Sequence, residues 1–328
     1  MTHRFGHWAR WRLPGLVARL GLLLAVLAHA PAVRALDNIT LVLSEEGQAY
    51  TEVADKIRQV VGQKNGPKVE TLSLQAFLGR QGEMAKGGSR VVVAVGLAAA
   101  QAAAALDSRV PVLSVLVPRA TFETLARERG RQGDSRGFSA IYLDQPFARQ
   151  LQLIRFALPD RSRVGVLAGA VAAEQLPLLQ AAGKGSRLKI NVEKVSREDD
   201  VIPSLRQLLR DSDVLLAVPD PLVYNRNTIQ GLLLTTYRYQ IPVVGFSLSY
   251  VRAGALVAVY SVPPQIGQQV GEMLLGLAGD RNPALPPPQY PKYFSVSVNY
   301  QVARSMGIEV DNEAVLYDKV RRAGEQEP

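Results

Sequence analysis

Residues 90–117 read RVVVAVGLAAAQAAAALDSRVPVLSVLV. An alanine-rich stretch of helical composition lies between two β-branched apolar runs, RVVVAV (90–95) and VPVLSVLV (110–117). Nearly continuous apolar runs are typical of strands that are buried on both faces, and such strands occur in parallel sheets. The segment therefore predicts a strand–helix–strand unit of a parallel sheet.

The same alternation of short apolar runs and amphipathic stretches continues on both sides of this segment. The other predicted strands are NITLVL (38–43), KVETLSL (68–74), GFSAIYL (137–143), RVGVLA (163–168), KINVEKV (189–195), DVLLAV (213–218), PVVGF (242–246), ALVAVYS (255–261) and YFSVSVN (293–299). Regular strand–helix alternation predicts an α/β protein with parallel sheets. Eleven strands in 328 residues are too many for one ordinary doubly wound sheet. We therefore predict two lobes, each with a doubly wound parallel sheet.

Three segments interrupt this pattern and suggest a hinge of three crossovers, near residues 143, 261 and 288; the last is the Pro-rich NPALPPPQYPKY. The alternative is that all three are ordinary loops, since Pro and Gly mark any turn. The hinge interpretation gives an N-terminal lobe of residues 36–142 and 262–287, a C-terminal lobe of residues 143–261 and 288–312, and a C-terminal tail of residues 313–328.

The first 35 residues have the composition of a secretory signal peptide. An arginine-rich start without acids is followed by the apolar run GLLLAVLAHA and by small residues before a cleavage site. We expect cleavage after Ala35, with Ala30 as the second choice, and hence a periplasmic protein. The alternative is an uncleaved N-terminal anchor. No cysteine is present to carry a lipid.

Removal of this segment changes the charge of the protein. The chain has a formal net charge of +9, and five arginines but no acid lie in the first 35 residues, so the exported part carries 9 − 5 = +4. A nucleic-acid-binding protein would need a basic stripe with interleaved aromatic residues, and the sequence has none. Nucleic acid is therefore not an expected partner.

The residue inventory also restricts catalysis. All three histidines (His3, His7 and His29) lie in the predicted signal peptide, and the chain has no cysteine. This excludes a Ser-His-Asp triad, a Cys-His pair and His or Cys zinc sites in the exported part. GFSLS (245–249) approaches the nucleophile-elbow pattern, but Ser247 lacks a histidine base and Ser249 replaces the second glycine. A Ser-Lys pair or a carboxylate pair stays open.

We expect no cofactor and no metal. The sequence contains neither a G-x-x-x-x-G-K-[ST] loop nor a G-x-G-x-x-G motif after a strand, and its acids are scattered.

Open parallel sheets bind ligands beyond the carboxyl ends of their strands. The residues that follow the predicted strands are thus candidate contacts for a small organic ligand. They are Ser44, Glu45, Gly96, Pro118, Tyr142, Asp144, Gly169, Asp220, Ser247, Tyr250 and Tyr260. Several have a simpler explanation: Ser44 and Asp220 as helix caps, Glu45 as an acid at a helix start, and Tyr260 as a core residue.

The order of these motifs resembles a known family. VAVGLAAAQ, GFSAIYLDQPFARQLQLIRFALPDRSRVGVL, VLLAVPDPLVYNRNTI, and IPVVGFSLSYVRAGALVAVYSVPPQIGQQV occur in the same order as in ABC-transporter substrate-binding proteins. Better-known members of that family bind aromatic amino acids such as tryptophan. The resemblance covers residues 90–310 well and residues 38–89 weakly.

This resemblance implies a type I periplasmic-binding-protein fold, with the ligand between two lobes and Ser247 as a ligand contact or loop cap. One departure is AGAVAAEQ (168–175), which stands where related proteins often carry an asparagine–serine pair. The ligand class is therefore not carried over from the family.

We expect a periplasmic solute-binding protein that closes around a small ligand, presents it to an ABC permease and is not an enzyme. The alternatives are a periplasmic sensory subunit of the same fold, a periplasmic hydrolase or isomerase, and a structural envelope protein. Asp220→Ala is expected to weaken ligand binding and leave the fold intact.

Overall fold

The structure is a computed structural model. It describes residues 1, 36, 38–64, 66–84, 90–107, 109–134, 137–278 and 284–326. Residues 2–35, which hold the predicted signal peptide, lie outside the described residues, as do residues 279–283 at the start of the Pro-rich segment.

The N-terminal lobe contains a five-stranded parallel sheet with the strand order β2-β1-β3-β4-β5. Its strands are β1 Asn38–Leu43, β2 Lys68–Ser73, β3 Arg90–Val95, β4 Val112–Val117 and β5 Phe138–Tyr142. The helices that connect them are α1 Gln48–Gly62, α2 Leu74–Met84, α3 Leu97–Ala103 and α4 Arg119–Glu128. Apolar side chains are buried on both faces of β1, β3 and β4, as the continuous apolar runs predicted.

The C-terminal lobe contains a six-stranded sheet with the order β11-β10-β9-β8-β6-β7. Its strands are β6 Arg163–Ala168, β7 Lys189–Lys194, β8 Val214–Leu216, β9 Val243–Gly245, β10 Val257–Tyr260 and β11 Ser295–Val298. Its first helices are α5 Phe147–Ala157, α6 Ala170–Ala173, α7 Leu176–Gly183, α8 Val201–Leu209, α9 Ile229–Arg238 and α10 Leu248–Ala253. Only the edge strand β11 pairs antiparallel among these strands. The predicted pair of parallel-sheet lobes is confirmed.

Helix α11, Pro263–Leu277, follows β10 but packs against α1, so the chain has returned to the N-terminal lobe. Glycines at its interface allow a close approach: a Cβ on Gly267 would lie 2.8 Å from the Val53 carbonyl oxygen, and one on Gly271 would lie 2.7 Å from Val60 Cβ. Helix packing with small residues at the contact thus holds α11 to this lobe.

The last part of the chain belongs to the C-terminal lobe. After β11 come α12 Tyr300–Ser305 and α13 Glu313–Gln326. Leu316 and Val320 of α13 are buried in the same apolar cluster as Leu153 of α5. Residues 313–326, predicted as a tail, therefore form a helix that packs on the lobe.

Hydrogen bonds connect the three crossover segments to one another. Gln145, in the first crossover, donates from Nε2 to Ser261 Oγ in the second (2.8 Å). Ser261 Oγ in turn donates to the Tyr293 carbonyl oxygen in the third (2.6 Å). Arg149 Nη1 donates both to Gln145 Oε1 (2.6 Å) and to the Pro291 carbonyl oxygen (2.9 Å). The junction between the lobes is therefore a bonded unit, although the lobe boundaries themselves stay a prediction.

In the part of the chain that the structure describes, no helix is long and apolar enough to cross a membrane. The same residues contain no group of three or more acids or histidines placed to hold a metal ion.

Candidate functional site

In the N-terminal lobe, Gly96 lies between the end of β3 and the start of helix α3. Gly96 has φ +91°, a conformation that L side chains rarely adopt, and a Cβ there would lie 2.6 Å from Ser44 Oγ. Ser44 follows the neighbouring strand β1, and its hydroxyl accepts a hydrogen bond from the Ala99 N–H (2.9 Å). Ser44 therefore caps α3 from another strand, and Gly96 provides the space that this requires.

Tyr50 lies against the same turn, because a Cβ on Gly96 would meet its ring at 2.5 Å. Burial raises the pKa of Tyr50 above its usual value, and the nearby Glu45 carboxylate adds to the rise. Glu45 itself is exposed at the end of β1.

The C-terminal lobe has the same arrangement with different chemistry. Gly169 lies between the end of strand β6 and the start of helix α6. Asp220, beyond the neighbouring strand β8, accepts hydrogen bonds from the N–H groups of Ala172 and Leu222 (both 2.9 Å). Its side chain is buried, with the residue 3% exposed. A Cβ on Gly169 would lie 2.7 Å from Asp220 Cγ, so glycine leaves room for the carboxylate.

A cavity of about 370 Å³ lies between the lobes, beyond the carboxyl ends of β3, β4 and β6. Helices α3 and α4 form one wall and α6 with the residue after it forms the other. Its lining residues are Leu97, Gln101, Ala120, Thr121, Thr124, Leu125, Glu128, Ala170, Val171 and Glu174. A mostly apolar cavity with a few polar groups is typical of small-molecule sites.

One ion pair joins the two walls at this cavity. Arg127 Nη2 of α4 lies 3.8 Å from Glu174 Oε2 of the C-terminal lobe, and both side chains are more than half exposed. Exposed ion pairs contribute about 0–1 kcal/mol to stability. This contact therefore shows that the two walls are close but does little to hold them together.

The sequence-predicted residues Pro118, Tyr142 and Asp144 do not line this cavity. Pro118 precedes α4, and Asp144 accepts a hydrogen bond from the Arg119 N–H in the first turn of that helix. Burial raises the pKa of Asp144. Tyr142 is buried, packs edge to face against Tyr290 with ring centroids 5.3 Å apart, and has its pKa raised by burial to about 12.

In the C-terminal lobe, Ser247 Oγ accepts a weak hydrogen bond from the Tyr250 N–H (3.4 Å) and caps α10. Phe246 and Tyr250 pack together with ring centroids 4.3 Å apart, and Tyr224 packs against both rings. The buried Tyr224 hydroxyl has no hydrogen-bond partner in the described part of the chain. Burial raises its pKa and raises that of Tyr250 to about 12.

Tyr260 lies in β10, next to the edge strand. Its hydroxyl shares a hydrogen bond with Ser297 Oγ of β11 (2.9 Å), and the residue is buried. None of the eleven predicted contact residues is among those that line the cavity, although Gly96, Pro118 and Gly169 immediately precede its helices. Their role in ligand contact stays a prediction.

The lining residues that the sequence analysis missed share a helical spacing. They include Leu97 and Gln101 on α3, Thr124 and Glu128 on α4, and Val171 with Glu174 next to α6. Residues three or four positions apart lie on one face of a helix. This spacing just after a strand end is the sequence signal that could have identified these residues. The local sequence does not indicate that the faces of α3, α4 and α6 meet at one cavity.

The chemistry of the lining groups suits binding. They offer methyl groups, two threonine hydroxyls, one amide and two carboxylates. Among the described lining residues there is no histidine, cysteine or lysine that could act as a base toward a hydroxyl.

Solved structures show the same fold at low sequence identity. A ligand-free, open substrate binding protein with adhesive properties from Clostridium difficile is similar with a TM-score of 0.67 and 17% identity, over 84% of this chain and 96% of that one. An ABC domain in complex with L-Trp from Streptococcus pneumonia gives a TM-score of 0.57 and 14% identity, over 86% and 98%. A conserved domain protein from Vibrio cholerae gives 0.57 and 19%, over 86% and 98%.

None of the curated proteins is similar enough to the chain to count as a match. A family model, described as ABC transporter substrate binding protein, matches residues 78–321. This range covers more than half of the 328 residues and includes every element from α3 to α12. The chain therefore belongs to the ABC transporter substrate binding protein family.

Proposed function

We propose that this protein is the periplasmic solute-binding component of an ABC importer. It binds a small organic ligand between its lobes and presents the ligand to a permease in the inner membrane. The observation that supports this most is the cavity that α3 and α4 of one lobe form with α6 of the other. A ligand there contacts both lobes at once and so favours the closed arrangement.

Closure requires that the lobes move toward each other while the crossover segments stay bonded to one another. The bonds from Gln145 to Ser261 and from Ser261 to the Tyr293 carbonyl tie the three crossovers side by side. A few residues at such a junction absorb the backbone changes of a hinge motion. The cavity walls then approach as rigid helices.

The ligand is released unchanged. The part of the chain after residue 35 has neither histidine nor cysteine, the side chains that most acid–base and nucleophilic sites use. Export is supported by the basic, apolar and small-residue segments of the first 35 residues.

The test begins with protein expressed from the full-length sequence and purified from the periplasm. Its thermal unfolding is measured against amino acids, amines, sugars, nucleosides, nucleobases and small carboxylates. A ligand at 100 times its Kd adds about 2.7 kcal/mol to the unfolding free energy and raises Tm by several degrees. The bound compound is then recovered and its mass measured.

Val171→Trp places a bulky side chain in the cavity and should abolish the Tm increase. Val315→Trp, on the exposed face of α13, is the matched control and should retain it. A ligand that binds both variants equally, or that is recovered as a different compound, would contradict the proposed function.

A further inference from the structure

Arg149, on helix α5 at the junction of the lobes, is a half-buried cation with neutral partners. In the described part of the chain its guanidinium contacts the Gln145 amide, the Pro291 carbonyl oxygen and the Phe294 ring, and no carboxylate is among these groups. Burial lowers the pKa of Arg149 to about 10, so the side chain stays charged at neutral pH. Partly burying a charge without an ion pair adds little to stability, and such departures are expected at functional positions.

The guanidinium of Arg149 sets the direction of a chain of hydrogen bonds across the junction. Arginine can only donate, so the Gln145 amide presents its Oε1 to Arg149 Nη1 (2.6 Å). Nε2 of the same amide therefore faces Ser261 Oγ and donates to it (2.8 Å). Because that oxygen accepts from Gln145, the Ser261 hydroxyl donates its proton to the Tyr293 carbonyl oxygen (2.6 Å). Each bond depends on the one before it, and the first depends on Arg149.

This chain runs from the first crossover through the second to the third, and Arg149 closes it into a ring. A second bond from Arg149 Nη1 reaches the Pro291 carbonyl oxygen in the third crossover (2.9 Å). The Cζ atom of Arg149 also lies 4.4 Å from the centroid of the Phe294 ring, at the end of the same crossover. One side chain thus contacts the first and third crossovers directly and reaches the second through Gln145.

We propose that Arg149 is the positioning residue of the hinge: it holds the three crossovers together and so limits the angles that the two lobes adopt. This inference rests on the proposed function, because a hinge has a role only if the lobes close around a ligand. Arg149 does not line the cavity and acts through Gln145. Without it, the amide loses its fixed orientation toward Ser261. Since the cavity walls already approach to 3.8 Å at Arg127 and Glu174, the added arrangements separate the lobes.

The experiment measures the distance between the lobes and needs no ligand. The chain has no cysteine, so Glu46→Cys and Arg226→Cys provide the two sites for spin labels, on exposed residues in the loops after β1 and β8. Pulsed electron double resonance on the labelled protein from the periplasm gives the distribution of distances. Arg149→Met keeps a long side chain without donors and should add a component at longer distance. Its Tm should be unchanged or higher, because no charge is left to bury.

Two further variants separate hinge positioning from a general structural role. Gln145→Glu gives Arg149 a carboxylate partner and removes the donor to Ser261. It should therefore keep or raise Tm and still add the component at longer distance. This variant also tests the inference if Arg149→Met does not fold. Arg155→Met, the same substitution at an exposed position of the same helix, is the matched control and should change neither measurement.

A purely structural role for Arg149 predicts the opposite result. Arg149→Met would then lower Tm and leave the distance distribution as it is in the unsubstituted labelled protein, and this outcome would overturn the inference. An unchanged distribution in Gln145→Glu would also overturn it, because the direction of the hydrogen-bond chain would have no role. The ligand panel tests the proposed function separately. If the distances change as expected and no compound binds, the hinge inference holds and the proposed function loses its support.

Discussion

The two lobes satisfy an N–H group in the first turn of a helix after a strand with different side chains. In each, a glycine follows a strand and precedes a helix, and a side chain just beyond the neighbouring strand accepts a hydrogen bond from the third residue of that helix. In the N-terminal lobe the acceptor is the Ser44 hydroxyl, bonded to the Ala99 N–H; in the C-terminal lobe it is the Asp220 carboxylate, bonded to the Ala172 N–H.

This difference affects the stability of the two turns. A hydroxyl satisfies one helix N–H without adding charge, whereas a buried carboxylate adds negative charge and bonds more strongly. The glycines differ too: Gly96 has φ +91°, and Gly169 has φ −76°, which any residue can adopt. The N-terminal turn thus needs its glycine for both backbone conformation and space, whereas the C-terminal turn needs its glycine for space alone.

Gly96→Ala should have the largest effect on stability. The new Cβ would lie 2.5 Å from Tyr50 Cε1 and 2.6 Å from Ser44 Oγ, in a backbone conformation that L residues rarely adopt. Strain and overpacking together should lower the unfolding free energy by about 3–5 kcal/mol. Chemical denaturation measures the change.

Two further glycine-to-alanine variants are compared with Gly96→Ala. Gly79→Ala, within α2 and with open space around the new Cβ, is the control and should not destabilise the protein. Gly169→Ala should lose less than Gly96→Ala, because its clash with Asp220 carries no backbone strain. Equal losses at both turns would contradict the contrast between the lobes.

Asp220→Ala should have the next largest effect. The Ala172 and Leu222 N–H groups would lose a charged acceptor in a buried place, which should lower the unfolding free energy by about 2–4 kcal/mol. Asp220→Asn keeps one acceptor oxygen but turns its NH2 donor toward the other N–H group, so it should lose about as much as Asp220→Ala. Denaturation of both variants is measured beside ligand titration.

This experiment also separates the two interpretations of Asp220. A fall in ligand affinity with unchanged stability would support the predicted ligand contact. A fall in stability without a change in affinity would show that the carboxylate serves only as a cap.

The strands could be predicted because burial on both faces leaves a local signal. β1 and β3 lie at Asn38–Leu43 and Arg90–Val95, as the apolar runs indicate. The ends of shorter strands were predicted less accurately. The run DVLLAV (213–218) predicts a strand of six residues, whereas β8 has three, Val214–Leu216. Beyond β8, the Ala217 N–H still donates to the Val244 carbonyl oxygen of β9, and the chain then continues toward Asp220.

The site could not be predicted in the same way, because its contacts are distant in the sequence. Ser44 and Ala99 are 55 positions apart, and Asp220 and Ala172 are 48 apart. The sequence predicts that Ser44 and Asp220 cap helices. Each caps a helix that follows a different strand from the one it follows itself. The cavity depends likewise on faces of α3, α4 and α6 that only the folded lobes bring together.

Ser44→Ala should destabilise the protein less than Gly96→Ala or Asp220→Ala. It tests the uncharged hydroxyl cap of the N-terminal lobe. The Ala99 N–H loses an uncharged acceptor near the helix start, where water can replace it because Ser44 is only half-buried. Loss of such a cap typically lowers stability by about 1 kcal/mol. The denaturation midpoint should therefore fall less than in Asp220→Ala.

The control for this variant is Ser73→Ala, which removes an exposed hydroxyl that accepts a longer hydrogen bond (3.3 Å) from the Ala76 N–H, away from the cavity. It should change stability less than Ser44→Ala does. If Ser44→Ala instead destabilised the protein as much as Asp220→Ala, the hydroxyl would be as important as the carboxylate. The charge of Asp220 would then not be needed to hold its turn, and its retention beside the cavity would have to be explained by the ligand.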